Sequence, residues 1–272
     1  INKLIKYLRT ISKIPIGIQI SHAGRKGSAE IPWIKANQPL KNKKERWKTF
    51  APSSIKKDLH WPNPLALSKV QIKKIVDDFV NCSKRAKRIG FDCLEIHMAH
   101  GYLLHQFFSP ISNKRQDIYG GSLENRCRLL IEIVERIRKI WPKNRILGAR
   151  VTGQDWLPNG STIDDCVYLV KKLKKAGLDY VDVSSGGILT KTNIIFKKGY
   201  QVHLANKIKK ETKIITRTTG MITNLNQAQK IINNNKADIV NMARKFIKSP
   251  TWLINEIKKK NKKIFLSKQY ER

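Results

Sequence analysis

Apolar residues along this chain fall into two alternating patterns. Short runs, "IGIQIS" (16–21), "DCLEIH" (92–97), "ILGARV" (146–151), "YVDVSS" (180–185), "KIITRT" (213–218) and "DIVNMA" (238–243), have the length and β-branched content of buried strands. Between them, apolar positions recur three and four residues apart, as at Ile72, Ile75, Val76, Phe79 and Val80, which is the buried stripe of an amphipathic helix. Helix ends are legible. Ser68 stands where an N-cap belongs and Gly90 follows as a left-handed stop; Ser122 opens Leu123 to Ile140, which Trp141-Pro142 ends; Gly177 closes the helix that begins near Ile163. No Pro/Gly/Ser-rich linker interrupts the series, so one α/β domain over residues 1–272 is expected, with a parallel sheet covered by helices. About six strand–helix units can be counted, against the eight of a closed (β/α)8 TIM barrel. Asn2 to Arg9 reads as a helix with no strand before it, so the expectation is a barrel whose first two units are missing ahead of Ile1.

The stretch Ala23 to Ser68 breaks the alternation and carries Trp33, Trp47 and Trp61 among turn residues and charges. A connection this long after a strand is expected to wall or cover an active site. Strands of a parallel barrel are covered on both faces, so polar side chains near their carboxyl ends need a reason. Alternation separates Gln19, Glu95, His97 and Arg150 from the aliphatic Ile18, Ile20, Leu94, Ile96, Ala149 and Val151. Gln19, His97 and Arg150 should therefore converge at the top of the barrel interior. In "EIHMAHGYLLHQF" (95–107), His97 ends the strand, and His100, Tyr102 and His105 follow. Metal ligation would call for a third ligand and usually a carboxylate, in a register such as HExxH, and packing is a second use for a strand-end histidine. Two neutral imidazole donors gripping one oxygen atom, with the Tyr102 hydroxyl nearby, fit the spacing better. His105, farther into the next helix, is expected to be structural.

Composition changes this picture little. Lys and Arg number 55 against 20 Asp and Glu, a formal net charge of +35 that invites a nucleic-acid reading. The lysines, however, are spread over the polar faces of nearly every helix, as in "VYLVKKLKKAG", and Lys, Asn and Ile share A/T-rich codons, so solvated faces and base bias account for the charge without a specific nucleic acid. No apolar run reaches the about 18 residues of a membrane span, and the opening "INKLIKYLRT" lacks a cleavage site for export. Cys82, Cys93, Cys127 and Cys166 are far apart and form no CxxC pair, as expected of reduced thiols in a cytoplasmic protein.

The segments "GIQISHAGRKGSAEIPW", "APSSI", "GFDCLEIHMAHGYLLHQFFSPISNKRQDIYGGSLENRCRLL", "ARVTGQDW", "VDVSSGG", "TGMIT" and "NMARKFI" resemble, in order, those of the old yellow enzyme family of flavin-dependent reductases, in its bacterial NADPH dehydrogenase and xenobiotic reductase branch. The resemblance implies an FMN-containing barrel that takes hydride from NADPH and passes it to the activated C=C of an α,β-unsaturated carbonyl or nitro compound. It implies that His97 and His100 clamp the carbonyl or nitro oxygen, that Tyr102 donates the proton, that Gln19 meets the flavin pyrimidine edge, that Arg150 supplies a cation near it, and that Gly220 and Arg244 hold the phosphate. It also implies a homo-oligomer in which Arg272, in the terminal "QYER", contacts substrate or flavin in the neighbouring subunit. The chain departs from the family pattern in "ITRTTG", where Arg217, Thr218 and Thr219 replace small apolar residues, and at Ala243, where Gly is common. Most of "SNKRQDIYGGSLENR" (112–126) is expected to be architectural. The competing reading is a non-catalytic remnant of such an enzyme whose basic surface binds polyanions incidentally.

Overall fold

The computed structural model describes residues 1–259. In chain order the elements are α1 (Asn2–Ile11), β1 (Gly17–Ile20), a 3-10 turn (Gly24–Lys26), α2 (Pro32–Lys35), β2 (Phe50–Ala51), β3 (Leu65–Ala66), α3 (Lys69–Ile89), β4 (Cys93–Met98), α4 (Leu103–Phe108), α5 (Leu123–Ile140), β5 (Ile146–Thr152), α6 (Ile163–Lys175), β6 (Tyr180–Ser184), α7 (Val202–Thr212), β7 (Ile215–Thr218), α8 (Leu225–Asn233), β8 (Ile239–Val240), α9 (Ala243–Lys248) and α10 (Trp252–Lys258).

Six strands form one parallel sheet in the order β1-β4-β5-β6-β7-β8, while β2 and β3 pair separately. Each main strand pairs with the next in sequence, as in a barrel wall, and among the described residues β1 and β8 remain edges that do not pair with each other. The sheet is nevertheless concave. Arg217 on β7 reaches Glu95 on β4 at 2.8 Å, although three strand spacings of about 4.8 Å lie between their backbones. Only a curved wall brings those two side chains together.

The outer face of the sheet carries the core. Leu94, Ile96, Leu147, Ala149, Val151, Val181 and Val183 are buried against Leu129, Leu130, Ile133 and Ile137 of α5 and Leu169, Val170 and Leu173 of α6. The helix signals act locally as the sequence suggests: Ser68 and Gln71 form a reciprocal capping box and Gly90 adopts φ +99°. Ser122 accepts from the Asn125 amide at the start of α5. The sixth strand is shorter than its apolar run, ending at Val240, because Asn241 turns its side chain toward Asp182 and α9 begins two residues later.

The 112–126 loop is tied down largely as expected. Asn113 donates to the Phe107 and Tyr119 carbonyls, Arg115 forks onto Asp117 at 3.0 and 2.7 Å, and Arg126 donates to the Phe108 carbonyl. The long connection after β1 is only partly covered. Trp33 and Trp47 are 85% and 59% exposed, so only Trp61 is an interior anchor.

Candidate active site

Inward-facing side chains of the strands form stacked polar layers, set by register. In the lower layer Gln19 lies opposite Glu95, Glu95 opposite Gly148, and Gly148 opposite Tyr180. In the upper layer His97 pairs with Arg150, Arg150 with Asp182, and Asp182 with Arg217. His97 and Arg150 are thus neighbours, as alternation predicts, whereas Gln19 sits one layer below them. Its amide donates to Glu95 Oε1 at 2.6 Å.

Gly148 makes the lower layer possible. A Cβ there would come within 2.1 Å of the Tyr180 ring, and without it the Tyr180 hydroxyl crosses to donate to Glu95 Oε2 at 2.6 Å. Gly148→Ala is expected to cost about 2 kcal/mol through overpacking, read as a lower urea midpoint. Arg217 completes the cluster, with Nη2 at 2.8 Å from Glu95 and 3.2 Å from Asp182. Asp182 also accepts from Asn241 at 2.9 Å and lies 3.2 Å from Arg150 Nε, a charge contact without hydrogen-bond geometry. Burial pushes the Asp182 carboxyl up, against the pull of Arg217 and Arg150. Arg217 is pushed up in turn, because Asp182 and Glu95 outweigh its own burial.

At the carboxyl end of β4 the chain makes the turn that presents the histidines. His100 has φ +55°, a conformation that costs a β-carbon-bearing residue energy and needs support. Its amide donates to Thr152 Oγ1 at 3.1 Å, its carbonyl accepts from Lys26 Nζ at 2.6 Å, and its Nε2 lies 2.6 Å from Ser184 Oγ. Gly101 follows with φ +71° and passes so close to the Gly187 carbonyl that a Cβ would stand 2.2 Å from it. Below this turn, His105 is fully buried. Its Nδ1 accepts from the Gly101 amide at 2.7 Å and its Nε2 is 2.9 Å from Asp155, which also accepts from Ser109 and the Ser161 amide. This supports the structural reading of His105 and shows Asp155 to be its anchor.

His97, His100 and Tyr102 come together. The His97 and Tyr102 rings stack at 4.8 Å, and the two imidazoles are 5.4 Å apart and nearly perpendicular. His97 Nδ1 accepts the Ala99 amide at 3.1 Å, which requires that its proton sit on Nε2. Burial, reinforced by the Arg150 charge, holds the His97 imidazole down at about 4, and the same two causes hold His100 well below the ordinary histidine range. Both rings are therefore neutral near pH 7. The Tyr102 hydroxyl takes no hydrogen bond among the described residues.

Beside the histidines a cavity of about 820 Å³ opens at the ends of β6, β7 and β8. His100 and Arg150 border it on one side and Gly220, Arg244, Lys245 and Lys248 on the other. Gly220, at φ +109°, keeps its backbone open where a Cβ would stand 3.0 Å from the Tyr200 ring. Among the described residues cations line this cavity and no carboxylate does, and the buried Gln201 Oε1 beside it has no hydrogen-bond partner there. Ala243 lines the mouth and is exposed. Arg217 turns into the concave interior, Thr218 is buried on the helix-covered face in register with Val183, and of the three substituted positions Thr219 alone lines the cavity. Arg272 lies outside the described residues.

Several participants went unnoticed in the sequence. Tyr180, Asp182 and Ser184 would have emerged from the same alternation applied to β6. Lys26 carries no such signal, because its partner carbonyl is 74 residues away. Its ammonium is pushed down to about 8 by burial and by repulsion from Lys57 and Arg25, against an ordinary 10.5. Between those values the unfolded chain holds a proton that the folded chain has released, so this group adds stability as pH rises. The difference in Tm between Lys26→Met and the parent should therefore shift in the parent's favour from pH 8 to pH 10.5.

A parallel α/β wall of barrel type, with a polar interior and a cationic cavity at the strand ends, defines the class as a TIM-barrel protein with its site at the carboxyl ends of the strands. The chain belongs to the NADH:flavin oxidoreductase / NADH oxidase family, whose profile matches residues 6–263. It is 40% identical over 257 residues to an NADPH dehydrogenase of Geobacillus thermodenitrificans, an alignment covering 94% of this chain and 70% of that protein. Among solved structures, morphinone reductase is similar with a TM-score of 0.73 and 25% identity, over 97% of this chain and 70% of the other. A 2-naphthoyl-CoA reductase shares the fold with a TM-score of 0.80 at 23% identity, over 96% of this chain and 40% of the other.

Proposed function

We propose that this chain is an FMN-dependent ene-reductase that uses NADPH to reduce the activated C=C of α,β-unsaturated carbonyl or nitro compounds. The observation that carries the reading is the pair of neutral imidazoles stacked with Tyr102 beside a cationic cavity. The cavity suits the cofactor: a lining with Gly220, Arg244, Lys245 and Lys248, and no carboxylate among the described residues, matches a dianionic phosphate, and Arg150 at its other border matches an electron-rich ring edge. Gln19 would meet the same ring only by leaving Glu95. When bound, FMN supplies hydride transfer from NADPH to the alkene carbon.

The protein's part is to polarise and protonate. His97 Nε2–H donates to the carbonyl or nitro oxygen, and its Nδ1, engaged by the Ala99 amide, fixes that tautomer. His100 reaches the same oxygen by exchanging its bond to Ser184. Donors set in place before reaction stabilise the charge that develops on that oxygen. Tyr102 holds a proton on its unengaged hydroxyl for the other alkene carbon. The test is a visible spectrum of the chain after equilibration with FMN and removal of free flavin. A retained yellow band that NADPH bleaches under anaerobic conditions, and that cyclohexenone restores, is expected. A colourless protein would overturn the reading.

A further inference from the structure

Three cations crowd the flank of the histidine turn without a carboxylate to neutralise them among the described residues. Arg25, 1% exposed, spends its donors on carbonyls, Nη1 on Ile55 at 3.0 Å and Nη2 on Ile188 at 2.9 Å. Lys57, 3% exposed, donates to Asn37 Oδ1 at 3.3 Å and lies 4.5 Å from the centre of the Trp61 ring. Lys26 is partly exposed, donates to the His100 carbonyl at 2.6 Å and stands 5.9 Å from the centre of the Tyr102 ring. Among the described residues none of the three has an acidic oxygen within 4.0 Å. The carboxylates that act on them do so at longer range. Asp155, on Arg25, is already engaged by His105, Ser109 and Ser161, and Asp58, on Lys57, stands outside at the surface.

Arg25 Nε is buried without a hydrogen-bond partner, and the other donors of these groups reach only neutral acceptors, which do not cancel charge. Burial depresses all three, Arg25 to about 10, Lys26 to about 8, and Lys57 downward, and repulsion from neighbouring cations adds to it at Lys26 and Lys57. Buried charges are ordinarily paired. An excess of one sign at the edge of a reacting site is a place where a ligand of the other sign gains most.

We infer that Lys26, backed by Lys57 and Arg25, forms an anion subsite that recognises a carboxylate or phosphate on the molecule brought to the His97–Tyr102 face. The inference deepens the proposed function. Lys26 grips the carbonyl of His100 and overlies Tyr102, so an anion on its ammonium stands beside the groups that would hold the reacting oxygen and proton. Alkenes carrying both a carbonyl and a carboxylate, such as 4-oxo-2-enoates, satisfy both elements at once. A phosphate of the nicotinamide donor is the other source of the same chemistry.

The experiment is calorimetric titration of the chain, using 4-oxopent-2-enoate and its methyl ester with and without FMN, and NADPH and NADH without FMN, as probes. Binding alone is read, so the result does not depend on turnover. If the subsite takes a substrate carboxylate, the acid binds at least tenfold tighter than the ester, and Lys26→Met brings that ratio to within twofold of one. If it takes the donor phosphate, the NADPH to NADH ratio collapses in Lys26→Met instead. Lys26→Arg restores whichever ratio is lost, and Lys57→Met, which leaves the link to His100 in place, lowers it at least threefold. Acid and ester binding alike, together with NADPH and NADH binding alike, in the parent would overturn the inference, as would ratios untouched by both methionine variants. A chain that keeps the anion preference but retains no flavin would refute the reductase reading and leave the subsite standing.

Discussion

Arg217→Met is expected to destabilise the protein by about 3 to 5 kcal/mol, measured as the shift in urea unfolding at pH 7. Glu95 and Asp182 are 7% and 2% exposed, and the Arg217 guanidinium contacts both. Without it, Arg150 would be the remaining cation of the layer, reaching Asp182 alone and without hydrogen-bond geometry. The Asp182 carboxyl, already pushed up by burial, would then lean further toward its protonated form in the folded state. The folded chain would bind more protons than the unfolded one, so the deficit of the variant should shrink from pH 7 to pH 5. Adding Glu95→Gln should recover part of the loss at pH 7 by removing one uncompensated charge. A loss below about 1 kcal/mol would mean that water already screens these carboxylates, as at a surface pair.

His97→Ala is expected to lower kcat/KM for cyclohexenone by about 10²- to 10³-fold, the usual cost of removing one pre-positioned donor from a developing oxyanion. His97→Asn, which keeps an N–H, should lose less. The pH profile separates a neutral donor from a charged one. With His97 held at about 4 and His100 well below 6.5, neither ring changes charge between pH 5 and 8, so no limb of kcat/KM near pH 6.5 should arise from them. Stability behaves differently. Folded His97 is neutral where the unfolded ring is protonated, so its contribution is present above pH 6.5 and falls away as the pH drops toward 4. The acid side of the parent's stability curve should be flatter in His97→Gln. A limb at pH 6.5 that disappears in this variant would mean that a protonated imidazole, and not a neutral N–H, meets the substrate.

The parts of the fold that depend on close neighbours were legible. Ser68 finds Gln71 three residues on, and Gly90 needs only its own missing Cβ to end α3. The pairing of His97 with Arg150 also followed from alternation, because two adjacent parallel strands carry their side chains in register. The Gln19 placement was half right for the same reason: its face could be read, but its layer depends on the stagger between β1 and β4, which pairs it with Glu95. The placement of the three tryptophans of the long connection was not legible. Burial there depends on where the loop lies, and only Trp61 is covered, with Lys57 against its ring.

The sequence by itself determined the α/β class, the helix ends, the apolar outer face of the sheet and the family, all of which rest on periodicity or on residues a few positions apart. Tertiary structure alone decided what the polar groups do. Sheet curvature brings Arg217 to Glu95 across three strands, and the turn at His100 closes on Lys26 from 74 residues away. Charges and hydrogen bonds act through distance in space, and residue spacing encodes that distance only within a helix or strand.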